Sequence, residues 1–273
     1  MRSNFLQRTI TGLIYVTAVV GCIMLSNISF FILLFAVNFL CLKEFYELVL
    51  PDKSWLEKYL GIIAGSVMFV MFSITFSAHL SLAWYYNLIP IFLIIFIIKL
   101  YENTHTEFST LAFQVLGIIY ITLPIVMLSK TAFFDSVEYS AGLPMGFFLL
   151  LWASDTGAYL AGKNFGKHKL FERVSPKKTW EGFAGGLLFS LAVAYTISFL
   201  PIFDDITKID WLIIAILVTV FGTFGDLFES LLKRNLHIKD SGTILPGHGG
   251  MLDRFDGLFL AVPAMFFYLL FTN

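Results

Sequence analysis

The amino-acid sequence predicts an all-α, polytopic integral membrane protein. Its mean hydropathy is +0.82, 58% of its 273 residues are hydrophobic, and only 14% are charged, against about 25% in an average soluble domain. A water-soluble chain of this size cannot hide so much apolar surface, because much of its surface must carry polar atoms. The formal net charge of −1 disfavours nucleic-acid binding, and the 31 Phe, 11 Tyr and 5 Trp exclude disorder.

Nine apolar stretches are long enough to cross a bilayer, which takes about 20 residues per helix. They cover residues 8–25, 28–43, 59–78, 84–101, 111–129, 142–162, 182–203, 211–232 and 254–272. The first has the basic flank of a signal peptide but no convincing small-residue cleavage site, so we interpret it as a retained helix.

The basic residues predict the orientation of these helices. If the N-terminus is cytoplasmic and the loops alternate, 16 of the 18 Lys and Arg residues lie on the inside, and only Lys130 and Lys208 lie outside. Cytoplasmic loops of membrane proteins carry this excess. The sequence therefore predicts nine spans with the N-terminus inside and the C-terminus outside.

The chain is predicted to divide into two membrane regions without a separate soluble domain. Residues 1–141 form a scaffold of five helices, and residues 142–273 form a catalytic region of four helices with two polar cytoplasmic loops. The mixed segment 43–58, with Pro51 in its middle, is expected to be an interfacial connector. Cys22 and Cys41 lie in apolar runs, which disfavours disulfides and cysteine metal sites.

Polar residues concentrate in two windows, 151–186 and 222–257, which hold 18 of the 37 charged residues and 13 of the 20 glycines. Charges in apolar spans are costly, so a functional site is the first interpretation. Asp155, within the sixth span, either lines a hydrated cavity or serves helix packing. The small residues around it permit close approach of another helix.

The loop after the sixth span is basic and ends in Ser175-Pro-Lys-Lys-Thr-Trp-Glu-Gly182. Anchoring to anionic lipid would explain the charge alone. However, Lys177 and Lys178 directly precede a glycine-rich helix start, where ammonium groups and free N–H groups suit a phosphate chain. His168 is interpreted as a solvated loop residue.

The eighth span ends with four polar residues on one helix face: Asp226, Glu229, Ser230 and Lys233. An ion pair between helices and a ligand site both remain open. Gly222 and Gly225 have no side chains and leave space beside the carboxylate of Asp226, which favours approach by another helix or by a ligand.

A glycine-rich loop then leads to the ninth span, which opens with Asp253, Arg254 and Asp256. Carboxylates on the two sides of such a loop can converge on Mg²⁺, a hard cation that shares oxygen ligands with substrate phosphates. For His248 in the loop, a hydrogen bond, a phosphate contact and a general-base role remain open. His237 is interpreted as a bystander.

Residues 230–256, SLLKRNLHIKDSGTILPGHGGMLDRFD, closely resemble the signature of the phosphatidate cytidylyltransferases (CDP-diacylglycerol synthases). The segments SDTGAYLAGKNFGKHKL and SPKKTWEG are similar to that family as well. The resemblance covers about residues 150–257, whereas the first five spans match only as a hydrophobic pattern.

This resemblance implies that CTP and phosphatidate react to CDP-diacylglycerol and pyrophosphate in the inner cell membrane, on its cytoplasmic side, with Mg²⁺ and room for a second cation. It also implies a homodimer. The implied catalytic residues are Asp226, Lys233, Arg234, Lys239, Asp240, His248, Asp253, Arg254 and Asp256. The implied substrate-binding residues are Asp155, Ser175, Lys177, Lys178, Ser230, Gly249 and Gly250. The implied metal ligands are Asp226 and Asp253, supported by Asp256 and Glu229.

Two other functions remain open from the sequence. A CTP-dependent polyprenol kinase would share the membrane, the cation and the nucleotide. A cation-coupled transporter would explain carboxylates within spans, but it would not need the basic loop or the HGG turn.

Overall fold

The computed structural model describes residues 2–78, 81–101, 107–134, 138–242 and 249–272. The chain forms two compact units. The first comprises Met1–Phe133 and Asp240–Leu252, and the second comprises Phe134–Lys239 and Asp253–Asn273. His248, a predicted catalytic residue, lies outside the described residues.

The first unit is a group of helices. They are α1 (Arg2–Leu25), α2 (Asn27–Val49), α3 (Trp55–Ala78), a 3₁₀ turn (Leu82–Asn87), α4 (Leu88–Tyr101), α5 (Glu107–Gly117) and α6 (Leu123–Thr131). A π-helical turn, Ile118–Thr122, joins α5 to α6 without a break. Between α1 and α2 a capping box forms: Ser26 Oγ accepts from the Ser29 N–H at 3.2 Å, and Ser29 Oγ accepts from the Ser26 N–H at 3.1 Å.

Tyr46 fixes the C-terminal part of α2 within this unit. Its side chain is fully buried, and its hydroxyl donates to the backbone oxygen of Gln114 at 2.7 Å. The ring fills the space left by Gly61 on α3 and Gly117 on α5, where a Cβ would lie 2.6 Å from ring or hydroxyl atoms. Glycine at these two positions therefore permits α2, α3 and α5 to pack closely.

The second unit carries helices and one small sheet. They are α7 (Gly142–Phe165), β1 (Lys169–Phe171), β2 (Ser175–Thr179), α8 (Trp180–Ile197), a 3₁₀ turn (Pro201–Phe203), α9 (Lys208–Asn235), α10 (Leu252–Phe255, whose first residue belongs to the first unit) and α11 (Leu258–Thr272). The strands pair antiparallel, with Lys169 opposite Thr179 and Phe171 opposite Ser175.

The small residues predicted to allow close helix approach do so between α7 and α8. A Cβ at Gly157 would lie 2.6 Å from the backbone oxygen of Gly185, and one at Gly186 would lie 2.7 Å from that of Ser154. Backbone packs on backbone here, as in many membrane-helix pairs. This contact holds the middle of α7, where Asp155 lies, against the start of α8.

Glycines also bring α9 to the start of α11. A Cβ at Gly225 would lie 2.5 Å from the backbone oxygen of Asp256 and 3.0 Å from the Cα of Gly257. The expectation that Gly225 admits another helix is thus confirmed. The contact places the backbone of Asp226 next to that of Asp256.

The helical membrane class is confirmed, and each of the nine predicted spans overlaps a helix. Within the described residues, six helices are long and apolar enough to cross a membrane: Asn27–Val49, Trp55–Ala78, Glu107–Thr131, Trp180–Ile197, Lys208–Asn235 and Leu252–Thr272. The other three predicted spans fall on α1, with the shorter apolar part Thr9–Leu25, on the 14-residue α4, and on α7 with its internal Asp155. Nine crossings and their orientation stay a prediction.

The basic loop after α7 contains the β1–β2 hairpin, which the sequence pattern did not predict. One local expectation was wrong. The segment 43–58 is not a connector, because α2 continues to Val49 and α3 begins at Trp55, so that only residues 50–54 connect them. The C-terminal turns of α2 are held in the helix by burial of their aromatic side chains, among them Phe45 and Tyr46.

Candidate active site

A cavity of about 380 Å³ lies within the second unit, lined by parts of α7, β1, β2, α8, α9 and α10. Seven predicted site residues line it. They are Asp155, Lys177, Lys178, Asp226, Asp253, Arg254 and Asp256. The sequence windows 151–186 and 222–257 therefore meet at one place, as their composition predicted.

The β1–β2 hairpin presents the two lysines because its base is tied to α8. The carboxylate of Glu181 accepts from the Lys167 N–H at 3.0 Å and lies 2.6 Å from His168 Nδ1. His168 is an exposed loop residue, as predicted, and in addition braces the hairpin. Thr179 caps α8, its Oγ1 accepting from the Gly182 N–H at 3.1 Å.

Lys178 and Asp226 form a charge pair in the lining, with 2.6 Å between Nζ and Oδ2. The other carboxylate oxygen of Asp226 accepts from the hydroxyl of Ser230 at 3.2 Å. Ser230 itself does not line the cavity, but it orients the predicted metal ligand. Lys177 lines the cavity next to Lys178 and is exposed.

Acidic side chains crowd the same cavity. The carboxylate of Asp256 experiences the negative charges of Asp226, Glu229 and Asp155, and Asp155 also interacts with Lys178 and Arg254. Like charges converge at such cost only where a cation or several donors compensate them. Asp256 Oδ1 accepts from the Gly257 N–H at 2.7 Å, which fixes its orientation.

Lys233 links α9 to α10. Its Nζ lies 2.6 Å from Asp253 Oδ1 and also contacts the carboxylate of Glu229, a fully buried side chain. Glu229 does not line the cavity, so its predicted support of a metal would act through Lys233 and Asp253. Ser175 and Arg234 lie outside the lining as well, on β2 and at the exposed end of α9.

The remaining predicted residues lie beyond these elements. Lys239 is exposed in the segment after α9. Asp240, Gly249 and Gly250 belong to the first unit. Their predicted roles remain predictions.

Part of the lining was missed from the sequence. Apolar and aromatic side chains from α7, β1 and α8 contribute to the lining, namely Leu151, Trp152, Tyr159, Leu170 and Phe183. Trp152 and Tyr159 stand three residues before and four after Asp155, on the same face of α7. Helical spacing from the predicted carboxylate could have found these two.

No group of three or more His, Cys, Asp or Glu side chains in the part of the chain that the structure describes is arranged as a complete metal site. Asp226, within α9, and Asp256, between α10 and α11, nevertheless offer oxygen ligands to the same cavity. Such a donor set suits Mg²⁺, which commonly takes one or two carboxylates and completes its shell with substrate phosphates and water.

The fold and the cavity define a class of protein: a multi-pass membrane protein with a charged site built on its C-terminal helices. The chain belongs to the cytidylyltransferase family, whose model matches residues 6–272. As a member it is a nucleotidyltransferase enzyme.

Three relatives illustrate the likeness. The phosphatidate cytidylyltransferase of Bacillus subtilis (strain 168) is 36% identical over 270 residues, which cover 96% of this chain and 97% of the relative. That of Rickettsia felis is 36% identical over 218 residues, or 77% and 91%. That of Staphylococcus saprophyticus is 33% identical over 261 residues, or 94% and 96%.

Proposed function

We propose that this enzyme transfers the cytidylyl group of CTP to phosphatidate, giving CDP-diacylglycerol and pyrophosphate for phospholipid synthesis. The observation that carries the proposal is the cavity, which combines Lys177, Lys178 and Arg254 with the carboxylates of Asp155, Asp226 and Asp256. The three relatives described above, all phosphatidate cytidylyltransferases, support the same reaction.

The reaction joins two polyanions, so charge neutralisation and positioning are the main catalytic tasks. A phosphate oxygen of phosphatidate attacks the α-phosphorus of CTP, the bond from that phosphorus to the bridging oxygen of the β-phosphate breaks, and pyrophosphate leaves. The attacking oxygen is already an anion. The chain therefore needs no strong general base, and the cationic side chains do most of the work.

Lys177 and Lys178 are proposed to bind the triphosphate. Lys178 is held by Asp226 at 2.6 Å, so a phosphate that enters the cavity competes with or joins an existing charge pair. Arg254, at the start of α10, is proposed to bind the phosphate of the lipid or the departing pyrophosphate.

Asp226 and Asp256 are proposed to hold Mg²⁺, with Asp253 as a further ligand once substrate has entered. When bound, the cation neutralises phosphate charge and polarises the reacting phosphate. Until then, Lys233 keeps the carboxylate of Asp253 in place at 2.6 Å. Asp155 is proposed to orient Lys178 and Arg254 by charge attraction.

The aromatic side chains of Trp152, Tyr159 and Phe183 in the cavity lining support the proposal that the lipid enters sideways between helices. The acyl chains stay in the bilayer while the phosphate reaches the charged end of the cavity. Contacts with surrounding lipids and a homodimer complete the proposed set of partners.

The proposed location is the inner cell membrane, crossed nine times, with the N-terminus and the active site on the cytoplasmic side. The distribution of Lys and Arg along the sequence supports this orientation. The hairpin that carries Lys177 and Lys178 belongs to the predicted cytoplasmic loops.

Radiolabelled CTP tests the reaction. Purified enzyme in detergent, given phosphatidate and Mg²⁺, is expected to move ³²P from the α-position of CTP into lipid and to release pyrophosphate. Label from the γ-position should remain in pyrophosphate. Transfer of γ-label to a polyprenol, with CDP as product, would establish a kinase instead, and CTP-independent cation uptake into vesicles would establish a transporter.

A further inference from the structure

Glu44 is a buried acidic side chain in the region predicted to be only scaffold. It lies near the end of α2 and is 2% exposed. Burying a carboxylate beside apolar helices costs free energy unless hydrogen-bond donors compensate it. A buried carboxylate in this position therefore indicates a specific role.

The compensating donors all come from one distant segment of the same unit. Glu44 accepts from the Met251 N–H and from the Leu252 N–H, both at 2.8 Å, and from the hydroxyl of Ser241 at 3.3 Å. These donors lie at the two ends of the segment 241–252. One carboxylate therefore ties both ends of this segment together and caps the first turn of α10.

Glycines make room for the carboxylate at both ends. A Cβ at Gly242 would lie 2.6 Å from Glu44 Oε1, and a Cβ at Gly250 would lie 2.5 Å from Glu44 Oε2. Gly249 takes a positive φ of 84°, which turns the chain back towards the same point. The described residues at the two ends, 241–242 and 249–252, thus leave room for the side chain of Glu44.

The helix that presents Glu44 is fixed only two residues away. Tyr46 is wedged against Gly61 and Gly117 and bonded to Gln114. A side chain on such a fixed element can set the position of the residues that it binds with precision.

We propose that Glu44 is a positioning residue of the enzyme, which holds Ser241, Met251 and Leu252 and thereby sets the place of the next residue, Asp253. This proposal rests on the proposed function, because the segment carries Gly249 and Gly250 and leads into the carboxylates of α10. Glu44 touches neither substrate in this account and acts through the backbone of Met251 and Leu252.

Glu44→Gln tests the proposal, because glutamine keeps the volume but has one acceptor oxygen in place of two and no charge. The matched control is Glu47→Gln on the next turn of α2, where the side chain is 56% exposed. We expect Glu44→Gln to lower kcat about ten- to hundredfold, the effect of losing a charge-assisted hydrogen bond, with the KM for phosphatidate unchanged. Glu47→Gln should keep wild-type kcat.

Hydrogen exchange supplies a readout independent of turnover. In Glu44→Gln the amides of Met251 and Leu252 should exchange faster than in the wild type, while those of α3 and α9 keep their protection. A variant that unfolds at lower temperature but turns over normally per folded molecule would show a purely structural role and overturn the proposal.

Gly242→Ala is the second variant, because its methyl group displaces the carboxylate without removing the charge. If Glu44→Gln does not fold, Gly242→Ala tests the proposal in its place. A lowered kcat in Gly242→Ala supports the proposal, and a normal kcat overturns it. A wild-type enzyme that makes no CDP-lipid would reject the proposed function instead. Normal kcat in folded Glu44→Gln, beside an active wild type, would reject only the role of Glu44.

Discussion

At the scale of single residues, the cavity pairs its charges before any ligand enters. Lys178 lies 2.6 Å from Asp226, and Lys233 lies 2.6 Å from Asp253. Each pair joins a predicted phosphate-binding cation to a predicted metal ligand. The arrangement keeps both kinds of group oriented, which lowers the cost of ordering them when the substrates bind.

Lys178→Ala should weaken the use of CTP more than that of phosphatidate, and Lys177→Ala should act in the same direction. Loss of a charge-assisted contact costs about 1.5–3 kcal/mol, so the KM for CTP should rise at least tenfold. Lys169→Ala is the control, since Lys169 lies in the same hairpin but outside the cavity lining. An unchanged KM for CTP together with a raised KM for the lipid would contradict the assignment of the hairpin to CTP binding.

Glu229→Gln should be milder than loss of Asp226. The buried carboxylate of Glu229 contacts Lys233, which still has Asp253 as a partner after the substitution. We expect kcat to fall by about tenfold or less, together with a lower unfolding temperature, because a buried ion pair has lost one member. Complete loss of turnover in folded protein would instead place Glu229 among the groups that act directly on the substrates or metal.

At the scale of elements, close packing at glycines determines which carboxylates lie near each other. Gly225→Ala would put a methyl group 2.5 Å from the backbone oxygen of Asp256. Because backbone cannot give way cheaply, we expect about 1–3 kcal/mol of destabilisation and a lower kcat. Gly21→Ala is the control, since a Cβ there meets nothing within 4 Å. Both variants are compared by thermal unfolding and by turnover. Equal unfolding temperatures and equal kcat values for Gly225→Ala and Gly21→Ala would contradict a role for the contact between Gly225 and Asp256.

The small-residue contact of α7 with α8 could be predicted, because small residues in apolar spans have few other uses. The hairpin at 169–179 could not be predicted from the sequence. Hydrogen bonds of Glu181 and Thr179 hold its base, and its strands lack the alternation of apolar and polar residues that marks a strand. Glu44 was missed for a related reason. The mixed composition of residues 43–58 hides the continuation of α2, although a lone carboxylate after an apolar span was a usable signal.

At the scale of the whole molecule, hydropathy predicts every helix that could span the membrane, because bilayer thickness fixes helix length. The polar windows likewise predict the carboxylates and lysines of the cavity. The partners of those residues follow from packing between distant segments, which no local pattern records. The pairing of Lys233 with Asp253, which lies twenty residues further along the chain, is one such case.

A reporter fused after Asn273 tests the orientation of the chain. We expect an extracytoplasmic signal, because 16 of the 18 Lys and Arg residues fall in loops that alternate to the inside. A fusion after the segment 201–207, between α8 and α9, should give the same signal and serves as an internal check. A cytoplasmic reading after Asn273 would be incompatible with nine crossings from a cytoplasmic N-terminus.

The central claim is that the carboxylates of this cavity carry the transfer reaction, and turnover of Asp226→Asn and Asp253→Asn tests it most directly. Asparagine keeps the size but removes the charge that holds Mg²⁺ against water. With phosphatidate and saturating Mg²⁺, both folded variants should form no CDP-lipid, and excess Mg²⁺ should restore neither, while Asp204→Asn in an exposed turn stays active. Near-normal turnover of either variant would remove that residue from the metal site and leave the cation to Asp256 and the other carboxylate.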